Sequence, residues 1–277
     1  MNENDELLYL ILEQDIEEYE QTWWQNEPRV AKMCDLIPGL HAKLESITEP
    51  DIVGTEDVYR HEEIWHDDRL PDQTSARVRL PDPKARSQQA SVFILSGIPG
   101  AGKTSQLVPL ARKYQTAHGT SQYSLVTLCA DDVGAALPEY ASGLGASVVH
   151  EEACYITYEG DHPRARKCTA DVAIDSIGRP AHMADYIRDW SAVGRKVHML
   201  VAVCNVDVAI DRMKRRAIET GRRVPQRVIE SAAVDVQTVV DAIKDGNWDV
   251  PSWIIVDTSS DGELSTVART DDWAFAP

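Results

Sequence analysis

A glycine-rich stretch that ends in one lysine and one threonine carries the strongest chemical signal in this chain. The run follows the apolar stretch Ser91–Leu95 and precedes a stretch of helical character. Such glycines let backbone amides curl around a phosphate, while the lysine reaches the β- and γ-oxygens and the threonine hydroxyl binds Mg²⁺. The pattern predicts a phosphate-binding loop for ATP or GTP, with Mg²⁺ as the metal. Its residues are Gly97, Ile98, Pro99, Gly100, Ala101, Gly102, Lys103 and Thr104.

Aspartates follow two further apolar runs, where ligands of parallel sheets bind. Asp131 and Asp132 come at the end of Leu125–Ala130, and Asp175 follows Val172–Ile174. A carboxylate at Asp131 or Asp132 is suited to accept a proton from an incoming hydroxyl, although either of these two aspartates would also suit a helix cap. Asp175 is suited to bind Mg²⁺ through a water molecule, to contact the substrate or to form a local Asx turn.

A dense group of basic residues interrupts an otherwise acidic chain. Arginines in such a group neutralise the equatorial oxygens of a phosphoryl group in transfer, and the alternative is a solvated helix face. Neither N-K-x-D nor D-x-x-G after a strand is present, which disfavours a GTPase. The basic residues are Arg212, Lys214, Arg215, Arg216, Arg222, Arg223 and Arg227.

Alternating apolar and helical stretches after Gln89 would position these side chains. This alternation predicts an α/β fold, a P-loop kinase-like parallel sheet flanked by helices. Besides Ser91–Leu95, the predicted strands are Leu125–Ala130, Val172–Ile174, Val197–Cys204 and Trp253–Val256. The predicted helices are Lys103–Thr116, Ala181–Val193, Val208–Glu219 and Arg227–Lys244.

Three segments follow from this pattern. Residues 1–68 repeat apolar side chains at helical spacing, which predicts an N-terminal helical segment with regulation among its possible roles. Residues 69–89 lack periodicity and contain several prolines, as a linker or a surface loop does. Residues 90–277 form the predicted P-loop kinase domain.

Composition narrows the class of partner. A net charge of −17 argues against general binding to nucleic acid or anionic membranes, because both need a cationic surface. Five cysteines without metal-ligand spacing indicate a reducing compartment. No apolar run is long enough for a membrane span. We therefore expect a cytoplasmic protein acting on a small molecule.

The order of these motifs resembles the zeta toxins, the kinase halves of bacterial toxin–antitoxin pairs. The likeness covers roughly residues 90–259 and implies ATP- or GTP-dependent phosphorylation of a sugar hydroxyl in UDP-N-acetylglucosamine-type nucleotides. It also implies an antitoxin protein as partner. The segments that carry it are Gly97–Thr104, Ala130–Val133, Leu137–Pro138, Glu152–Ala153, Ile174–Arg179, Ile210–Arg212 and Thr220–Pro225.

The resemblance also implies a role for each matched residue. Asp131 would be the general base and Lys103 the clamp on the γ-phosphate, with Arg212 and Arg222 as the transition-state arginines. Three side chains would hold the nucleotide sugar: Glu152, Asp175 and Arg179.

Two departures from the family pattern concern the substrate side. Asp175 stands where the family usually has glutamate, and Gly160–Cys168 does not resemble the long family helix. Two alternatives therefore stay open. One is a kinase of another hydroxyl, on a nucleoside, an antibiotic, a dinucleotide or a polynucleotide end. The other is a non-catalytic nucleotide-binding switch.

Overall fold

The structure is a computed structural model. It describes residues 55–61, 64–81, 89–143, 146, 149–220, 222, 224, 226–260 and 264–276. The helices expected within residues 1–54 lie outside the described residues.

A six-stranded sheet forms the centre of the fold and has the order β4-β5-β3-β6-β7-β8. Neighbouring strands are parallel except β7 and β8, which are antiparallel. Every residue of β3 is buried, so both faces of the central strand are covered, as its apolar sequence requires. The strands are β3 (Ser91–Gly97), β4 (Leu125–Leu128), β5 (Asp171–Ser176), β6 (Lys196–Val203), β7 (Ser252–Asp257) and β8 (Ser265–Arg269). A separate hairpin pairs β1 (Arg60–His61) with β2 (Ile64–Trp65).

One helix, α1 (Thr55–Tyr59), precedes the hairpin, and seven helices connect strands of the central sheet in the described residues. These seven are α2 (Val108–Ala117), α3 (Ala130–Ala135), α4 (His150–Tyr155), α5 (His162–Lys167), α6 (Pro180–Ala192), α7 (Val206–Thr220) and α8 (Gln226–Lys244). The expected α/β fold with a parallel sheet flanked by helices is confirmed. None of the helices in the described part of the chain is long and apolar enough to cross a membrane.

One expectation about secondary structure was wrong. Gly160–Cys168 lacked the appearance of a long helix, yet helical residues run from His150 to Lys167 with a wide π-helical turn at Ile156–Asp161. Asp161 and His162 are buried in this stretch, so its polar residues do not form a solvated loop. The antiparallel edge strand β8 was also missed, because it alternates intermediate and exposed residues instead of forming an apolar run.

The chain divides into two compact units, each built from several stretches. The sheet unit comprises Arg79–Cys129, His162–Met213 and Gln226–Pro277, and it contains the whole six-stranded sheet. The helical unit comprises the described residues up to Val78 together with Ala130–Asp161 and Lys214–Pro225. Part of the expected linker, residues 69–78, is therefore counted in the helical unit.

A small apolar cluster forms the core of the helical unit. It joins α3 to α4 and to the turn that follows α4, and Ala76 and Tyr140 pack against it. An upstream alanine thus contributes to a core built mainly by residues after Ala130. The cluster consists of Val133, Leu137, Val149, Ala153 and Ile156.

Candidate active site

The glycine-rich loop connects β3 to the wide helical turn Lys103–Leu107. Gly100 and Gly102 have φ angles of 84° and 78°, in the left-handed region that side chains disfavour. At Gly100 a Cβ would also lie 2.6 Å from the carbonyl oxygen of Ala209. Both glycines are therefore required by the shape of the loop. Lys103 Nζ donates to the carbonyl oxygen of Gly97 at 2.8 Å, which holds the ammonium group against the loop.

Asp175 lies beside this loop because β5 pairs in parallel with β3, with Leu95 opposite Asp175. Its Oδ1 is 3.6 Å from Lys103 Nζ. Its Oδ2 accepts a hydrogen bond from Thr104 Oγ1 at 3.4 Å. A carboxylate and a hydroxyl are the oxygen donors that Mg²⁺ prefers, and Mg²⁺ commonly keeps several water ligands. Thr104 and Asp175 therefore fit a magnesium ion, although the described residues contain no group of three or more acidic, cysteine or histidine ligands.

Arg212, on α7, contacts the backbone of the same loop. Its Nη1 donates to the carbonyl oxygen of Gly100 at 3.3 Å, and its Nη2 donates to the carbonyl oxygen of Thr258 at 2.8 Å. Thr258 Oγ1 in turn donates to the carbonyl oxygen of Ala101 at 2.9 Å. In this arrangement Arg212 connects the glycine-rich loop to the end of β7. Its expected role on the transferring phosphoryl stays a prediction.

Asp131 and Arg222 form an ion pair within the helical unit. Asp131 lies in the first turn of α3, and its Oδ1 is 2.6 Å from Arg222 Nη2. The Asp131 side chain is 43% exposed and the Arg222 side chain only 13%. The sequence predicted both residues as catalytic, but their direct contact is a finding of the structure.

Glu152, expected to bind the acceptor, is buried completely on α4. Its Oε1 is 3.4 Å from Nη1 of Arg69, which also forms an ion pair with the buried Glu139. Burial raises the pKa of Glu152, and the nearby Arg69 acts in the opposite direction. Arg69 and Glu139 were missed by the sequence reasoning, because no local pattern relates residues 70 positions apart.

Arg179 is exposed and follows a sharp turn at the end of β5. Gly178 makes this turn with a φ of 98°, and a Cβ there would lie 2.1 Å from Ser96 Oγ. Pro180 begins α6 directly afterwards. The backbone on both sides of Arg179 is thus restricted while its side chain is accessible, which suits the recognition of an anionic group.

The structure therefore groups the predicted residues into three sets. In the sheet unit, Lys103, Thr104, Asp175 and Arg212 meet at the glycine-rich loop, while Arg179 lies beyond β5. In the helical unit, Asp131 meets Arg222, and Glu152 meets Arg69.

The family model of the zeta toxins matches residues 77–264, more than half of the chain. The chain belongs to the zeta toxin family. The resemblance seen in the sequence motifs is thereby confirmed. Family membership and the P-loop kinase-like fold support a nucleotide-dependent, kinase-like function for this zeta toxin relative.

Solved structures similar to this chain include two with TM-scores above 0.5, which share its fold. Two crystal structures of the AvrRxo1-ORF1:AvrRxo1-ORF2 complex, one of them with sulphate ions, contain a chain 20–21% identical to this one, with TM-scores of 0.54 and 0.53. The alignments cover 67–68% of this chain and 60% of the other. A structure of the PezAT toxin–antitoxin system of Streptococcus pneumoniae is 14% identical over 67% of this chain and 74% of that one, with a TM-score of 0.49. No curated protein sequence matches this chain.

Proposed function

We propose that this protein transfers the γ-phosphoryl group of ATP or GTP to a hydroxyl of a small molecule. The observation that carries the proposal is the cluster of Lys103, Thr104 and Asp175 at the glycine-rich loop. It combines a cation for the phosphates with two oxygen donors for a metal, which are the parts that phosphoryl transfer needs.

Thr104 and Asp175 would hold Mg²⁺ at this loop. A bound Mg²⁺ neutralises charge on the phosphate oxygens. Lys103, now 2.8 Å from the carbonyl oxygen of Gly97, has the length and charge to take the γ-phosphate as its acceptor instead. Arg212 keeps Gly100 in place through its carbonyl oxygen, so that the loop amides keep their orientation.

Asp131 is the proposed general base. The acceptor O–H proton moves to its carboxylate, the acceptor oxygen bonds to the γ-phosphorus, and the bond from that phosphorus to the β,γ-bridging oxygen breaks. Arg222 holds Oδ1 of Asp131, which leaves Oδ2 as the proton acceptor in this scheme. Positioning of this kind supplies most of the rate in phosphoryl transfer.

The proposed acceptor is a UDP-N-acetylglucosamine-type nucleotide, phosphorylated on its sugar. Family membership supports this choice, and the exposed Arg179 suits the diphosphate of such a ligand. In this proposal Glu152 is a sugar-side residue, and Asp175 is a second one in place of its role at the metal. An antitoxin partner and a cytoplasmic location belong to the same proposal.

A different hydroxyl acceptor is the second candidate, and the burial of Glu152 favours it. A carboxylate that is fully buried and paired with Arg69 is poorly placed to accept hydrogen bonds from a sugar. Asp175 is similarly engaged, with Thr104 and Lys103. A nucleoside, an antibiotic, a dinucleotide or a polynucleotide end would then replace the nucleotide sugar.

A metabolite panel distinguishes the two candidates. The purified protein is incubated with Mg·ATP or Mg·GTP and each acceptor, and products are identified by mass spectrometry, with Asp131→Asn as the inactive control. Phosphorylated UDP-N-acetylglucosamine supports the first candidate, and a different phosphorylated product supports the second. If no acceptor gains a phosphate although nucleotide binds, the kinase proposal is wrong and a non-catalytic switch replaces it.

A further inference from the structure

Residues 55–78, nearly all of which precede the family-model match, belong to the helical unit and contact its stretch Ala130–Asp161. The buried Trp65 stacks on Tyr155, with ring centroids 5.4 Å apart. At the end of the segment, the amide of Val78 donates to Oδ2 of the buried Asp161 at 2.9 Å. The segment, called the strap below, is therefore held near its middle and at its end by contacts with buried residues.

Between these attachments, Arg69 enters a pocket of unusual composition. Its guanidinium group forms ion pairs with Glu139 and Glu152, whose side chains are only 4% and 0% exposed. Its Cζ atom also lies 4.1 Å from the centre of the Tyr59 ring. Two carboxylates at the edge of a planar cation and an aromatic ring on its face match the geometry of guanidinium.

Charge balance explains why the pocket requires a cation. Two buried carboxylates without a counter-charge would repel one another in a medium of low dielectric, and burial alone penalises each of them. Among the described residues, Arg69 is the cation with ion pairs to both Glu139 and Glu152. The strap therefore supplies a charge that the surrounding helices need.

We propose that Arg69 is a built-in guanidinium ligand of the pocket formed by Glu139, Glu152 and Tyr59, and that the strap thereby withholds Glu152 from the acceptor. The second part rests on the proposed kinase function; the first part does not. The withholding of Glu152 makes residues 55–78 a determinant of which acceptors this family member takes, since any ligand that uses Glu152 must displace Arg69.

Chemical rescue tests the first part without any enzymatic activity. Arg69→Ala leaves a cavity with two buried carboxylates, and we expect its unfolding temperature to fall by roughly 5–15 °C. Methylguanidinium chloride should restore at least half of this loss, while methylammonium chloride at the same concentration should not, because a point cation lacks the planar fork. Isothermal titration of Arg69→Ala should detect saturable methylguanidinium binding that the wild type lacks.

Matched variants control this experiment. Arg77→Ala removes another arginine of the strap, whose ion pair with Asp72 is largely exposed, and should change stability little and show no rescue. If Arg69→Ala does not fold, it is expressed and refolded with methylguanidinium present, and folding that depends on this compound gives the same support. Equal rescue by both cations, or none, would overturn the assignment.

Titration with UDP-N-acetylglucosamine tests the second part. Arg69→Ala should bind this probe at least tenfold more tightly than the wild type, and added methylguanidinium should reverse the gain. Equal affinities would show that the strap does not withhold Glu152. If neither protein binds the probe, the nucleotide-sugar acceptor and the withholding both fall, whereas the rescue experiment still decides the role of Arg69.

Discussion

Replacing Asp175 by asparagine distinguishes a metal ligand from a sugar ligand at the end of β5. The substitution keeps the shape of the side chain and removes its charge. Asp175 lies 3.4 Å from the Thr104 hydroxyl and 3.6 Å from the Lys103 ammonium group. We expect Asp175→Asn to weaken the binding of Mg·ATP and to strengthen the binding of ATP without metal.

The magnitude follows from the charges and distances. Two unit charges separated by 3.6 Å interact with about 5 kcal/mol at an effective dielectric constant of about 20. The attraction of the Asp175 carboxylate to a bound divalent cation is at least of this order, and desolvation offsets most of it, so roughly 1.4–2.8 kcal/mol is the expected net loss for the metal-bound state. That loss corresponds to an affinity for Mg·ATP about 10–100-fold lower. Without metal the sign reverses, because Asp175 no longer repels the phosphates or competes for Lys103.

Nucleotide titration with Mg²⁺ or with a chelator measures both effects without knowledge of the acceptor. Asp175→Glu is the matched control, because it restores the charge and the residue type that the family usually has at this position. We expect its affinity for Mg·ATP to stay within about threefold of the wild type. Unchanged nucleotide affinity in Asp175→Asn, together with weaker binding of UDP-N-acetylglucosamine, would refute the metal role and support the sugar contact.

The other catalytic predictions use the same titration together with a transfer assay. Lys103→Ala should abolish nearly all transfer while the unfolding temperature is unchanged, and a rate within about threefold of the wild type would exclude the phosphate clamp. Asp131→Asn should abolish transfer but keep ATP affinity, whereas Asp132→Asn should do much less; a reversed order would move the base by one residue. Arg222→Ala should lower kcat roughly 10²-fold with ATP affinity retained. Arg212→Ala should weaken ATP binding as well, because its contact with Gly100 shapes the loop, and unchanged affinity would contradict that contact.

The glycine-rich loop and the strand before it could be recognised because the residues of this motif are adjacent in the sequence. The glycines, Lys103 and Thr104 are consecutive, and the preceding apolar run was enough to predict a buried strand. Strand–helix alternation implied a parallel sheet, so Asp175 was expected at the same edge of the sheet as the loop, and the structure pairs β5 with β3. Local pattern and chain order thus determined the fold class, while the nucleotide-binding roles of these residues stay predictions.

Neither the continuation of a helix through Gly160 nor the pairing of charges remote in sequence could be predicted from a local pattern. Gly160–Cys168 did not resemble a long helix in the sequence, but the chain is helical from His150 to Lys167, and Asp161 and His162 are buried in it. The ion pair of Asp131 with Arg222 joins residues that the sequence predicted separately. Sequence periodicity reports which face of an element is apolar, and it is silent about which buried charge another charge will meet.

Glu152 shows most clearly what only the tertiary structure decided. A glutamate at this place in the order of the family motifs suits a ligand for sugar hydroxyls, so the sequence predicted Glu152 as an acceptor-binding residue. Its availability depends on Arg69, which lies 70 positions before Glu139 in the sequence and forms ion pairs with both carboxylates in the folded chain. Burial makes an isolated carboxylate costly, so the fold must supply a cation for it, and that requirement appears only once the chain is packed.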